Sequence, residues 1–208
     1  MKIEKIFDNN RIWSNAKKAV DKDYFHELAK GQDPNMLYIG CSDSRVTAEE
    51  MTGARAGELF VHRNIANLVP TMDINAMSVV NYSVVHLNVT DIAVCGHYGC
   101  GGVLAAMQPK DLGILNPWLR AIRNVYRTHR QELGAIEDEA LRYNRLVELN
   151  VQEQCLNILK TPEVQVAYLD GKLKIHGWVF DIASGQLLDL GIDTEHLLEE
   201  VREIYRLA

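Results

Sequence analysis

Apolar positions along the chain follow two periods, helical and strand-like, and the switch between them recurs several times. Between Ile12 and Lys30, Trp13, Ala16, Val20, Phe25 and Leu28 predict one or two amphipathic helices, stopped by Gly31. Met36–Gly40 (MLYIG) is a short apolar run closed by Gly, the pattern of a buried strand. Thr47-Ala-Glu-Glu50 has the form of a capping box, in which the Thr47 hydroxyl and the Glu50 carboxylate satisfy opposite ends of a first helical turn. Gly57–His62 (GELFVH) reads as a second strand, and Asn75–Leu87 spaces Ala76, Val79, Val80, Val84 and Leu87 as a helix does. Asp91–Cys95 (DIAVC) is a third buried strand, ended by Gly96. Gly102–Met107 and then Pro117–Leu149 read as helical, with Arg120, Arg123, Arg127 and Arg130 on one face. That stripe is expected to be solvated and to pair with the acidic residues of Glu132–Glu139. Val151–Leu159 continues helical, and Thr161-Pro162-Glu163 supplies an N-cap, an N1 proline and a first-turn acid for a helix closed by Gly171. Leu173–Asp181 (LKIHGWVFD) is a strand that Ser184-Gly185 turns into Gln186–Leu190, and Asp193 or Thr194 caps a last amphipathic helix.

Strands alternating with helices define an α/β fold: a mainly parallel sheet of about four parallel strands plus an antiparallel edge strand, flanked by helices. No repeat, low-complexity tract or Pro/Ser-rich linker interrupts the 208 residues. The expectation is a single domain, 1–208, with an N-terminal helical arm of about 1–32. Ligands of such sheets collect at the carboxyl ends of strands, which directs attention to the loops after Gly40 and after Cys95.

Composition narrows the classes. Hydrophobic content of 47% with 24% charged residues excludes disordered and fibrous chains. Twenty-two Lys and Arg against 28 Asp and Glu leave a net charge of −6, which argues against nucleic acid as a partner. Met1–Asn10 lacks the apolar core of a secretory signal, and the uncharged stretches Ile74–Thr90 and Ile92–Pro109 are broken by Asn, His, Gly and Gln. No membrane association is expected. Four cysteines are too few for a disulfide scaffold, so the expectation is a cytoplasmic protein with reduced thiols, two or more of them available to a metal.

The two strand-end loops carry the chemistry. One reads Cys41-Ser42-Asp43-Ser44-Arg45, the other Gly96-His97-Tyr98-Gly99-Cys100-Gly101-Gly102. Thiolate and imidazole are preferred zinc ligands, and four such donors complete a tetrahedron. His97-x-x-Cys100 can grip an ion from one turn, and Cys41 and Asp43 point the same way in an extended segment. Each piece alone is a weak signal: Cys95 and Cys155 read as core thiols, and Asp43 with Arg45 as an ion pair. Their conjunction at two strand ends is stronger. A dinucleotide fingerprint fails because Leu104 stands where its third Gly belongs, and a cysteine-phosphatase loop fails because only three residues separate Cys41 from Arg45.

Cys41-x-Asp43-x-Arg45 followed by His97-x-x-Cys100 resembles the zinc site of β-class carbonic anhydrases. GCSDSRV, GELFVHRNIAN, CGHYGCGG, LGILNPWLRAIR and HGWVFD resemble bacterial members over nearly the whole chain. The resemblance implies a zinc lyase that hydrates carbon dioxide reversibly to bicarbonate and a proton, by attack of zinc-bound hydroxide. It implies one Zn²⁺ per chain on Cys41, His97 and Cys100, with the fourth position belonging to water or to Asp43. Zn²⁺ with two thiolates and a neutral imidazole is formally neutral. Asp43 and hydroxide therefore compete for that place at equal charge, and Arg45 gates it by holding Asp43 as a charge-assisted pair. Two thiolates donate more charge than two imidazoles, so the water pKa is expected above that of the three-histidine carbonic anhydrases, with a rate rising toward alkaline pH. Gly101 and Gly102 are expected to offer backbone N–H groups to substrate oxygen. His62 and His86 are expected in structural roles.

One subgroup of the family has a second, non-catalytic bicarbonate pocket that favours the closed state. It corresponds to Tyr38, Arg63 and Phe180, with Tyr38 and Phe180 in place of the usual Trp and Tyr. Thr47 stands where many relatives have Pro, so weakened bicarbonate regulation is expected. The family also implies self-association as a dimer or tetramer through the N-terminal helices, with Trp13 and Phe25 as anchors or as packing within their own chain. Two other readings stay open: hydrolysis of carbonyl sulfide or carbon disulfide on the same fold, and a structural zinc-binding protein. Arg45 argues against the latter, since a structural site needs no residue competing for its own ligand.

Overall fold

Short runs rich in apolar residues build the five strands of one sheet: β1 Met36–Cys41, β2 Leu59–Asn64, β3 Asp91–His97, β4 Lys174–Asp181 and β5 Gln186–Asp189. In this computed structural model, which describes residues 2–204, their order is β2-β1-β3-β4-β5. The first four are parallel and β5 joins β4 antiparallel, as expected of the Ser184-Gly185 turn. From β1 the chain goes to one side for β2 and to the other for β3, so the strand order reverses between β1 and β3. The carboxyl ends at such a reversal form the crevice where open α/β sheets bind ligands.

Helices α3 Ala48–Thr52, α4 Ile74–Asn81, α5 Gly101–Met107, α6 Leu115–Thr128, α7 Arg130–Gly134, α8 Glu139–Leu159, α9 Pro162–Leu169 and α10 Thr194–Ile204 belong to the same unit as the sheet. Helix α8 packs on β3 and β4 through Leu146, Val147, Val151, Cys155 and Ile158, all buried. Burying a side chain of this size contributes about 1.5–3 kcal/mol. Gly96 of β3 and Gly177 of β4 allow the approach: a Cβ on either would lie within 3.1 Å of Val151.

The structure departs from the sequence reading in several places, one being Thr161, whose hydroxyl donates to the Ile158 carbonyl at 2.9 Å and does not cap the helix that follows. The stretch Pro117–Leu149 is not one helical region. It breaks after Thr128 and again after Gly134, and α8 starts afresh because the Asp138 carboxylate accepts the Ala140 and Leu141 N–H groups. The predicted helix over Asn75–Leu87 is α4 followed by a π turn, Tyr82–His86, in which buried Ser83 bonds back to the Val80 carbonyl. Thr47 does precede α3, but its hydroxyl donates to the Glu50 carboxylate at 2.9 Å instead of accepting that residue's N–H. Among the described residues, Glu132 pairs with Arg145 and His129, not with the arginine stripe, whose Arg123 turns to Asn116 and the Ala106 carbonyl. Strand β3 also runs through Gly96 to His97.

The other unit ends at Asp33 and holds a 3₁₀ turn, Ile3–Lys5, and the first two helices of the chain, α1 Ile6–Val20 and α2 Tyr24–Leu28. Neither helix has a buried residue. Trp13 meets Phe25 edge to face at 5.4 Å, and Phe7 and Val20 are largely exposed. No helix of the described residues is long and apolar enough to cross a membrane.

Candidate metal centre

Cys41 ends β1 and His97 ends β3. Because these strands are neighbours, with Gly40 paired to Cys95, the two residues emerge side by side. The turn after β3 then returns Cys100 to the start of α5. One ligating atom from each of Cys41, His97 and Cys100 lies within 4.8 Å of the other two, and all three residues are buried. The two sulfurs are 3.9 Å apart. Two sulfurs each about 2.3 Å from one tetrahedral ion stand about 3.8 Å from each other.

His97 is prepared for the same task. Its Nδ1 lies 3.1 Å from the Tyr98 carbonyl, which can only accept, so Nδ1 carries the proton and Nε2 keeps a lone pair. That Nε2 is buried without a hydrogen-bond partner among the described residues. An orphaned lone pair grouped with two sulfurs fits a soft divalent cation such as zinc, and leaving it bare costs free energy. Of the two thiols, one ionises at the other's expense. Cys41 is pulled down, chiefly because the Cys100 thiol donates to it and further by the N–H groups of Ala66 and Asp43. Cys100 is held up by the same pairing and by burial.

Asp43 stands outside this converging set. Arg45 grips its carboxylate with two side-chain bonds, Nε to Oδ1 at 2.9 Å and Nη2 to Oδ2 at 2.7 Å, and adds its own N–H at 3.0 Å. The guanidinium thereby holds the Asp43 carboxyl well below the usual carboxylate range. Arg45 also donates to the Gly99 carbonyl at 3.2 Å, tying the first loop to the second. Oδ2 of Asp43 remains 3.9 Å from His97 Nε2.

The remaining expected residues fall into place around this centre. Gly101 and Gly102 follow Cys100 at the start of α5. A Cβ on Gly102 would meet Ile65 Cγ2 at 2.8 Å and Ala66 Cβ at 3.1 Å, whereas Gly101 has open space. Arg63 donates to the carbonyls of Cys41, Asp43 and Val46 at 2.8, 2.7 and 2.6 Å, bracing the loop from β2. Tyr38 and Phe180 share a buried apolar cluster with Cys95, and the Tyr38 hydroxyl has no partner there. Cys95 and Cys155 are core thiols; burial pushes Cys95 up to about 11 and Cys155 higher still. His62 is buried beside the Asn64 amide, in the structural role expected of it.

Three contributors escaped the sequence reading. Ala66 donates its N–H to Cys41 Sγ at 3.4 Å, the Tyr98 carbonyl sets the His97 tautomer, and the Tyr143 hydroxyl donates to the Cys100 carbonyl at 2.7 Å. The first two act through backbone atoms, which residue type does not advertise. Tyr143 arrives from α8, 43 positions away.

A buried Cys₂His group compatible with zinc, at the strand-order reversal of a mostly parallel sheet and with an Arg-held carboxylate beside it, points to an enzyme of the α/β class. Residues 36–187 match the carbonic anhydrase family, and the chain belongs to that family, in its β class. A carbonic anhydrase of Emericella nidulans is 58% identical over 206 residues, covering 99% of this chain and 90% of the relative. A carbonic anhydrase of Pseudomonas aeruginosa is 41% identical, over 78% of this chain and 76% of its own. Among solved structures, a β-carbonic anhydrase of Aspergillus fumigatus superposes with a TM-score of 0.92 at 34% identity, over 99% of each chain. A β-carbonic anhydrase of Sordaria macrospora, one of two described as tetrameric, superposes at 0.86 and 39% identity, over 89% of this chain and 95% of its own. The activity is accordingly that of a carbonic anhydrase, the reversible hydration of carbon dioxide; sulfur-analogue hydrolysis and a purely structural zinc are not favoured.

Proposed function

We propose that carbon dioxide is hydrated at one zinc ion per chain, held by Cys41, His97 and Cys100, with Asp43 and Arg45 as the working pair beside it. The observation that carries this reading is the buried His97 Nε2, without a hydrogen-bond partner and grouped with two sulfurs 3.9 Å apart. Zinc bound there supplies a Lewis acid that makes water a competent nucleophile near neutral pH.

The chain's own residues do the rest. Asp43, kept ionised by Arg45, accepts the hydrogen bond of the attacking water and turns the oxygen's free lone pair toward carbon. The two-point grip of Arg45 withholds Asp43 from the ligand set, where it would exclude that water. Arg63 fixes the backbone of residues 41–46 so that the pair keeps its orientation. An arm without buried residues, exposing Phe7, Ile12 and Trp13, supports self-association as a dimer or tetramer.

Stopped-flow hydration from about pH 6.5 to 9, spanning the range of a zinc-activated water, tests the reading when zinc is quantified on the same sample. The expected result is close to one zinc per chain, a rate that climbs toward alkaline pH, and loss of both zinc and activity in Cys100→Ser. Full zinc occupancy without hydration at any pH overturns it.

A further inference from the structure

Beside Cys41 the backbone adopts an uncommon form. Ala66, with φ +65°, and Asn67, with φ +49°, are consecutive non-glycine residues in the left-handed region. Such a conformation persists only where its surroundings over-determine it. Trp118 Nε1 donates to the Ile65 carbonyl at 2.9 Å, holding the peptide plane before Ala66. Asn150 Nδ2 donates to the Ala66 carbonyl at 3.1 Å, holding the plane after it. The conformation of Ala66 is the relation between those two planes, so the two clamps together impose it.

Asn150 is itself locked. Gln154, one turn on along α8, donates to Asn150 Oδ1 at 3.1 Å and accepts the Val69 N–H at 2.8 Å. Both amides are 1% exposed and sit in an otherwise apolar face of α8. Asn and Gln are seldom fully buried, and here they occupy places where apolar side chains would pack on the sheet. What the clamped turn delivers is one group: the Ala66 N–H, 3.4 Å from the Cys41 sulfur.

We propose that Asn150, locked by Gln154, is a positioning residue for the Cys41 ligand. Together with Trp118 it keeps Ala66 left-handed, so that the Ala66 N–H stays on the ligand sulfur, orienting it and drawing charge from it. The inference rests on Cys41 being a metal ligand. Hydrogen-bonding partners of ligating atoms typically change metal affinity by about 10–100-fold when removed, and Asn150 acts one bond further out.

The test loads the full chain with an NMR-active cadmium isotope, a soft ion of the same charge. Scalar coupling between cadmium and the Ala66 amide proton passes through an N–H···S bond and has no other route. The wild-type protein is expected to show that coupling. Asn150→Ala is expected to lose it and to bind zinc about tenfold more weakly in chelator competition. Ala66→Gly supplies the second arm, because glycine adopts the left-handed conformation without strain. It keeps the coupling, and in its background Asn150→Ala costs less zinc affinity. Cadmium that shifts the Cys41 and Cys100 signals in the wild type without coupling to Ala66 overturns the inference and leaves the metal site standing. Coupling and affinity unchanged in Asn150→Ala overturn it as well. Cadmium that shifts neither cysteine overturns the metal site and the inference together.

Discussion

Gly96 separates core Cys95 from His97, the proposed ligand, and replacing it with Ala tests how rigidly α8 seats that residue. The added Cβ would stand 2.7 Å from Val151 Cγ2 and 3.3 Å from Val147 Cγ1. Both valines are buried and β-branched, with one strongly preferred rotamer in a helix, so neither can swing aside. The strand cannot retreat either, since β3 is bonded to β1 on one side and β4 on the other. Overpacking of this kind costs about 1–3 kcal/mol, and the better strand propensity of Ala returns about 0.5–1 kcal/mol. The net centres on about 1 kcal/mol, which for a chain of this length lowers Tm by about 2–4 °C. Val151→Ala alone removes two methyl groups from the core and costs about 1–3 kcal/mol. In the double variant the new methyl enters the space the valine leaves, so the combined loss falls short of additivity by about 1 kcal/mol. Thermal melts of the four proteins at one protein and zinc concentration measure the cycle, and zinc retention reports on His97. Additivity within about 0.5 kcal/mol, or an unchanged Tm in Gly96→Ala, refutes the claim of a rigid contact.

Two further outcomes follow from the polar contacts. Arg45→Ala frees Asp43 from its two-point side-chain grip, so zinc content should hold while hydration near neutral pH falls by about tenfold or more; metal analysis beside stopped-flow rates checks it, and full activity refutes the gating role. Arg145 holds the Glu132 carboxyl below its usual range, so the folded state binds the proton less readily than the unfolded one. Its contribution is complete above about pH 4.3, the ordinary Glu value, and is lost as pH falls through the lower folded value. Tm should drop on acidification below about pH 4.5, less steeply in Glu132→Gln, and identical slopes in the two proteins refute the assignment.

The sequence by itself determined the α/β class, the four parallel strands, the antiparallel edge strand after Ser184-Gly185 and the pairing of two strand-end loops into one Cys₂His site. These were legible because strand and helix periods, turn residues and ligand spacing are local properties of a chain. The grouping of Cys41 with His97 and Cys100 needed one further rule, that neighbouring parallel strands end on the same edge. Tertiary structure decided the rest. Only the fold set the carboxylate of Asp43 on Arg45 and apart from the Cys41, His97 and Cys100 group, turned Arg63 to the loop carbonyls and sent Glu132 to Arg145. It alone seated Asn150 against Ala66, 84 positions away, and so placed a backbone N–H on Cys41. A polar group chooses among partners by which of them packing brings within about 3 Å as water is excluded, and that proximity is a property of the assembled layers, not of any stretch of sequence.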